Sequence, residues 1–210
     1  DRAYLYAYPH QELTPQQWEL FQRLWSRYLQ GEPLQYILGF AYFYGLTFQV
    51  NPAVLIPRFD SEVLIEAVLK NEISTHLRVC DAGTGSGNLA IVLKKMRPQW
   101  EVVALDIDGD ALTVAKQNAQ LHEVEVTFLQ TDMIQHLSQH HYDLVVSNPP
   151  YIAQDDVAIS SQVKKYEPAT ALFAVENGLY YYRHLAQLVT KQPMKLYVEV
   201  GYQQAKDVQA

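Results

Sequence analysis

Asn148-Pro149-Pro150-Tyr151 is the segment of this 210-residue chain whose residue types are best suited to chemistry. Its two prolines fix φ and remove two N–H donors, so the loop is stiff. The Asn148 side-chain carbonyl and the Pro149 backbone carbonyl are then free to point outward as a pair of acceptors. Two acceptors suit a planar NH2 group, and Tyr151 offers a flat face on which an amide or a base can stack. An amide or aromatic amine nitrogen is a weak nucleophile because its lone pair is delocalised. Acceptors on both of its hydrogens raise its electron density and fix its direction. Methylation of such a nitrogen needs that alignment and no strong base, since the nitrogen turns acidic as it gains the methyl group. A plain Asn-Pro turn is the alternative reading of this segment.

A second constellation is Asp81-Ala82-Gly83-Thr84-Gly85-Ser86-Gly87, which follows an apolar run and opens a helical pattern. Glycines at alternate positions let the backbone turn tightly and approach a ligand. The loop lacks the Lys and Ser/Thr of a P-loop. Asp106 stands 23 residues beyond Gly83, where a carboxylate can accept from both ribose hydroxyls. Asp132 is a candidate partner for an adenine amino group, a simple turn residue being the alternative. Asp81, Asp106 and Asp132 together give a negative lining, which suits a cationic ligand better than a pyrophosphate. S-adenosylmethionine carries a sulfonium, a ribose and an adenine without phosphate, and fits this lining better than NAD, whose diphosphate seeks a helix N-terminus. Asp108 and Asp110 read as the cap and first turn of the next helix. His136, His140 and His141 read as a solvated loop, without the carboxylate spacing of a metal site.

These loops need a frame. Short apolar or β-branched runs at 77–81, 102–106, 126–130, 143–147 and 195–200 alternate with helical patterns. Strands separated by helices predict a parallel sheet with right-handed crossovers, a doubly wound α/β domain. Its ligands bind beyond the carboxyl ends of the strands, with the first and fourth strands flanking the switch point. The glycine loop and the Asn148 loop are therefore expected to face each other. Upstream, Thr14-Pro15-Gln16-Gln17 has the pattern of a capped helix start. Trp18, Phe21, Leu24, Trp25 and Tyr28 then share one helical face, which reads as core or interface packing, a partner-docking face being the alternative, and Gly31 reads as a stop. The chain divides into a helical segment (1–30), a connector with a hairpin pattern (31–62) and the main domain (63–210).

Apolar residues make up 49% of the chain and charged residues 19%, a globular balance. The formal charge of −7 argues against wholesale binding to a phosphate backbone. A single cysteine, Cys80, excludes an internal disulfide and a cysteine-based zinc site. No apolar run reaches the roughly 18 residues of a membrane span, and no basic segment followed by an apolar one opens the chain. The expectation is a protein of the cytoplasm or an organelle matrix with no membrane partner.

Several motifs occur together: Gly-Glu-Pro-Leu-Gln-Tyr-Ile-Leu-Gly at 31–39, Val-Leu-Ile-Pro-Arg at 54–58, the glycine loop, Asn-Pro-Pro-Tyr at 148–151, Tyr-Glu-Pro at 166–168, Asn-Gly-Leu at 177–179 and Glu199-Val200-Gly201. This combination resembles the HemK/PrmC family of protein-(glutamine-N5) methyltransferases, which modify peptide chain release factors. The resemblance implies a Rossmann-like class I methyltransferase domain and a small helical N-terminal domain that helps grip the release factor. It implies methyl transfer from S-adenosylmethionine to the glutamine of a Gly-Gly-Gln motif, leaving S-adenosylhomocysteine, with no direct nucleic-acid partner. Carried over, Gly83, Gly85 and Gly87 form the cofactor loop after Asp81, Asp106 binds ribose, and Asp132 lies near adenine. Asn148, Pro149, Pro150 and Tyr151 would hold the glutamine amide, with Asn148 also bordering the cofactor. Arg58 and Glu62 would shape the wall of the site, an ion pair being the plainer role for them.

The chain departs from the family at Phe59, where proline is usual, and at Ala174-Val175, where two glycines are common. Its helical start is shorter, and a final strand pair is missing, so a fragment is expected. Three rival readings remain. A ribosomal-protein glutamine methyltransferase shares the catalytic loop. An adenine-N6 methyltransferase should show clustered Lys/Arg, whereas here the nearby pair is Lys164-Lys165. A non-catalytic cofactor-binding protein should show a degraded glycine or Asn148 loop, and neither is degraded.

Overall fold

Thr14 starts the main N-terminal helix as its residue types dictate. In the computed structural model, which describes residues 2–209, α1 (Arg2–Ala7) is followed by α2 (Pro15–Leu29). The Gln17 N–H donates to Thr14 Oγ1 at 3.2 Å and the Thr14 N–H donates to Gln17 Oε1 at 2.9 Å, a reciprocal cap. The aromatic stripe of α2 is not the packed face expected of it, for no residue of α2 is buried. Trp18, Phe21, Trp25 and Tyr28 instead stack on one another down the helix, with centroids 5.6, 6.0 and 5.4 Å apart. Next come α3 (Leu34–Leu38) and an antiparallel hairpin of β1 (Phe40–Phe43) and β2 (Leu46–Gln49). Tyr44 and Gly45 at its tip both have positive φ, 49° and 73°, the two-residue turn that matches strand twist.

After α4 (Asp60–Asn71) the chain alternates strand and helix: β3 (Arg78–Ala82), α5 (Asn88–Met96), β4 (Glu101–Asp106), α6 (Gly109–Leu121), β5 (Thr127–Gln130), α7 (Met133–Gln139) and β6 (Leu144–Ser147). An excursion comes next, through β7 (Ile152–Ala153), α8 (Ser161–Tyr166), α9 (Ala169–Leu172) and β8 (Phe173–Ala174). Then α10 (Tyr180–Lys191) leads to β9 (Lys195–Val198) and α11 (Ala205–Gln209). The large sheet has the order β5-β4-β3-β6-β9, with every neighbouring pair parallel. The doubly wound α/β fold is the one expected.

The repeat of two along each strand explains the layers. Val79, Val102, Ala104, Leu144 and Val146 face Leu64, Ile65 and Val68 of α4 and Leu89–Leu93 of α5. Cys80, Ala82, Val103, Leu105 and Val145 face Leu137 of α7 and Leu185 and Leu188 of α10. Both faces are thus covered, as a parallel sheet requires. His136, expected in a solvated loop, lies on α7 instead. Its Nε2 is 2.8 Å from the hydroxyl of buried Tyr142, a polar group that needs a partner once it leaves water. Among the described residues, no helix is long and apolar enough to cross a membrane.

Candidate active site

Strand order reverses on either side of β3, which places a crevice above the carboxyl ends of β3 and β6. A cleft opens there. Its wall includes Gly83, Gly85, Asp106 and Asp132 from one set of loops, Asn148 and Pro150 from another, and Arg58. The two loops singled out by their chemistry therefore border one space. Asp81, Gly87, Pro149 and Tyr151 lie outside that wall.

Each loop is held by specific bonds. The Gly83 and Thr84 N–H groups both donate to the Leu105 carbonyl, at 2.9 and 2.8 Å. Gly83, Gly85 and Gly87 have φ of 80°, 54° and 82°, a region that costs other residues roughly 1–2 kcal/mol. A Cβ on Gly85 would meet nothing within 4 Å, whereas one on Gly87 would sit 3.0 Å from Ile91 and 3.1 Å from Ala115. Gly85 thus opens onto ligand space and Gly87 lets α5 pack on α6. Asn118, buried on α6, donates to the Ser86 carbonyl at 2.9 Å and to the Gln49 carbonyl at 3.0 Å.

Asp106 Oδ2 accepts from the Gly85 N–H at 2.8 Å and Oδ1 from the Asp108 N–H at 3.0 Å. Each oxygen keeps acceptor capacity for a further donor. Burial raises the Asp106 carboxyl above its ordinary value, offset in part by the Asp108 and Gly85 N–H groups. Asp108 caps α6 and Asp132 caps α7, accepting from the Asp110 and Gln135 N–H groups, each at 2.8 Å. Asp81 lies beneath the glycine loop, fully buried. Its Oδ2 accepts from the Thr84 hydroxyl at 2.6 Å and the Ala90 N–H at 3.1 Å. Its Oδ1 has no hydrogen-bond partner among the described residues. Burial pushes this carboxyl up to about 7 against the Thr84 and Ala90 bonds, and the Asp106 charge adds to the rise.

These features fit S-adenosylmethionine. Asp106, Asp108 and Asp132 line the cleft beside a single basic residue, Arg58, and Arg58 is already paired with Glu167 at 2.5 Å. That set of acceptors favours a phosphate-free ligand bearing hydroxyls, an amine and positive charge.

Arg58 and Glu62 do not pair with each other. Glu167 takes Arg58 and also accepts from the Ile56 N–H at 3.1 Å, while Glu62 accepts from the Tyr44 N–H at 2.7 Å. Next to Glu167, the Tyr166 hydroxyl donates to the Gln30 carbonyl just past α2, at 3.0 Å. Tyr151 is half-buried, and its carbonyl accepts from Gln204 Nε2 at 2.9 Å. Asn148 Nδ2 donates to Ser61 Oγ at 3.2 Å, and the Ser61 hydroxyl donates to Glu199.

Sequence reading gave no role to Ser61, Asn118, Glu167 or Glu199. The signal for two of them was present. Ser61 shares the face of Leu64, Ile65 and Val68, and Asn118 that of Ala111, Val114 and Ala115. A polar residue on an apolar helical face has to find a buried partner.

Comparison with known proteins agrees with the geometry. Residues 58–177 match the methyltransferase small domain family and residues 1–39 the PrmC N-terminal domain family. The release factor glutamine methyltransferase of Enterococcus faecalis is 40% identical over 213 residues, spanning 100% of this chain and 77% of the relative. The enzyme of that name from Streptococcus pneumoniae is 38% identical over 98% of this chain and 75% of its own length. Among solved structures, the hMettl16 catalytic domain superposes with a TM-score of 0.57 at 18% identity, over 73% of this chain and 59% of that one. A methyltransferase from Pyrococcus furiosus gives 0.50 at 16% identity, over 84% and 74%. The structural likenesses establish the fold, and the sequence likeness runs through both the helical start and the sheet. The chain belongs to the release factor glutamine methyltransferase family.

Proposed function

We propose that this chain transfers a methyl group from S-adenosylmethionine to the side-chain nitrogen of a Gly-Gly-Gln glutamine in a peptide chain release factor. The observation that carries this reading is the placement of Asn148 on the same cleft wall as Gly85 and Asp106. When bound, S-adenosylmethionine supplies a methyl group activated by a sulfonium. Asp106 would hold the ribose hydroxyls, Gly83 and Gly85 would let the backbone approach, and Asp132 would sit near the adenine. Asn148 Oδ1 and the Pro149 carbonyl would accept the two glutamine amide hydrogens, orienting the nitrogen and raising its electron density. Pro150 and Tyr151 would keep that loop rigid and flank the amide.

The helices before residue 31 would grip the release factor, residues 31–62 would join them to the cleft, and the chain from residue 63 would carry the transfer. Exposed aromatic rings on α2 support the first assignment. The compartment this reading implies is the cytoplasm or an organelle matrix.

The test is a side-by-side assay of purified protein with S-adenosylmethionine and a release factor, a ribosomal protein or nucleic acid. The expected product is a single added methyl on the Gly-Gly-Gln glutamine, lost in Asn148→Ala while cofactor binding persists. Methylation of nucleic acid alone, or wild-type transfer by Asn148→Ala, would overturn the reading.

A further inference from the structure

Ser61 and Glu199 have no part in the proposed transfer, yet a chain of hydrogen bonds runs from Asn148 through Ser61 to Glu199. Asn148 follows β6, Ser61 lies in the first turn of α4, and Glu199 follows β9. Asn148 Nδ2 donates to Ser61 Oγ at 3.2 Å, and the Ser61 hydroxyl donates to Glu199 Oε2. Ser61 is 2% exposed and borders the same cleft as Asn148.

The direction of this chain of bonds is set by the chemistry of its end. Burial raises the Glu199 carboxyl above its ordinary value, against the hydrogen bonds from Ser61 and Asn148 that favour its charged form, and in that ionised form it can only accept. The single Ser61 proton therefore goes to Glu199, and the lone pairs of Ser61 can only accept from Asn148. The end of the Asn148 amide that meets Ser61 must be NH2, so Oδ1 faces the opposite way.

We propose that Glu199 and Ser61 are positioning residues that select one of the two amide orientations of Asn148, the one presenting its carbonyl oxygen to the substrate nitrogen. The inference rests on the acceptor role of Asn148 in the proposed function. The two orientations have the same shape, so packing alone does not choose between them. The wrong one would set an NH2 against a substrate group that brings only donors. It would also force Ser61 to donate to Asn148 and leave the Glu199 carboxylate without its donor.

Glu199 is well anchored for this task. Its N–H donates to the Ser147 carbonyl at 3.0 Å, and its own carbonyl accepts from the Tyr182 hydroxyl at 2.9 Å. The carboxylate is thus fixed relative to the residue that immediately precedes Asn148.

Methyl transfer from S-adenosylmethionine to an intact release factor is to be measured for Ser61→Ala, Glu199→Ala, Glu199→Gln, the double alanine variant and Asn148→Ala. Calorimetric cofactor binding checks that each variant is folded. Ser61→Ala and Glu199→Ala should each lower kcat by about tenfold to a hundredfold, with unchanged KM for the release factor and unchanged cofactor affinity. Glu199→Gln keeps an acceptor oxygen but adds a donor, so it no longer fixes the direction of the bonds and should recover only part of the rate. The double alanine variant should be no slower than the worse single one, because both residues act through one amide. Additive losses, losses carried equally by KM or cofactor affinity, or wild-type kcat in both single variants would overturn the proposal. Should Glu199→Ala fail to fold, Ser61→Ala with Glu199→Gln decides the matter. Wild-type transfer by Asn148→Ala would remove the acceptor role and this inference with it. Loss of transfer in Asn148→Ala with none in Ser61→Ala or Glu199→Ala would remove this inference alone.

Discussion

The Ser147 hydroxyl donates to the Ala82 carbonyl across 2.6 Å. Ser147 directly precedes Asn148, and Ala82 directly precedes Gly83. One buried bond thus fastens the proposed amide loop and the proposed cofactor loop at their roots. Ser147→Ala should cost about 1–3 kcal/mol in urea unfolding and weaken S-adenosylmethionine binding by calorimetry. Wild-type stability and affinity together would mean that the two loops are held independently.

Gly85→Ala and Gly87→Ala should fail in different ways. Both positions have positive φ, so each substitution carries a backbone cost of roughly 1–2 kcal/mol. Gly87→Ala adds a clash with Ile91 and Ala115 and should show the larger fall in melting temperature. Gly85→Ala meets no protein atom within 4 Å but lies on the cleft wall, so it should show the larger loss of cofactor affinity relative to its loss of stability. Equal losses of both kinds in the two variants would contradict the division of labour between these glycines.

Asp81 should make stability depend on pH. Its folded carboxyl is raised from 3.8 to about 7, so the folded state binds the proton more tightly than the unfolded one. The contribution of this group is therefore most favourable below about pH 4 and declines as pH rises through about 7. Asp81→Asn keeps an acceptor for Thr84 and Ala90 and removes the titration. Melting temperatures between about pH 5 and pH 8 should fall more steeply in the wild type than in this variant; identical slopes would show that Asp81 titrates as an ordinary carboxyl.

Glu167→Ala should loosen the cleft wall. It removes the partners of the Ile56 N–H and of Arg58 at once. The expected loss is about 2 kcal/mol, accompanied by a higher KM for S-adenosylmethionine. Glu167→Gln, which keeps an acceptor for Ile56, should fall between the two. An unchanged KM in Glu167→Ala would show that the 54–58 segment keeps its place without this anchor.

Much of this site was legible in the residues themselves. The alternation of apolar strand runs with helical patterns gives the parallel sheet, and the sheet then dictates that the loops after β3, β4 and β6 converge. Gly83, Asp106 and Asn148 could be found because each ends a recognisable apolar run. The partners of Arg58 and Asn148 could not be found that way. Glu167 lies 109 positions from Arg58, and Glu199 lies 138 positions from Ser61, separations that no local pattern reports. The α2 stripe shows the opposite limit. Helical spacing sorts Trp18, Phe21, Trp25 and Tyr28 onto one face, but spacing carries no information on what that face meets.

Tyr166 and Glu167 have a mechanical consequence. Tyr166 ties down the end of α2 through Gln30, and Glu167 ties down Ile56 and Arg58. The two moorings are consecutive residues, separated by one peptide unit. A load placed on the aromatic helix by a docked macromolecule would pass through that unit to the chamber wall, gearing the arrival of a large substrate to the shape of the space around a small one.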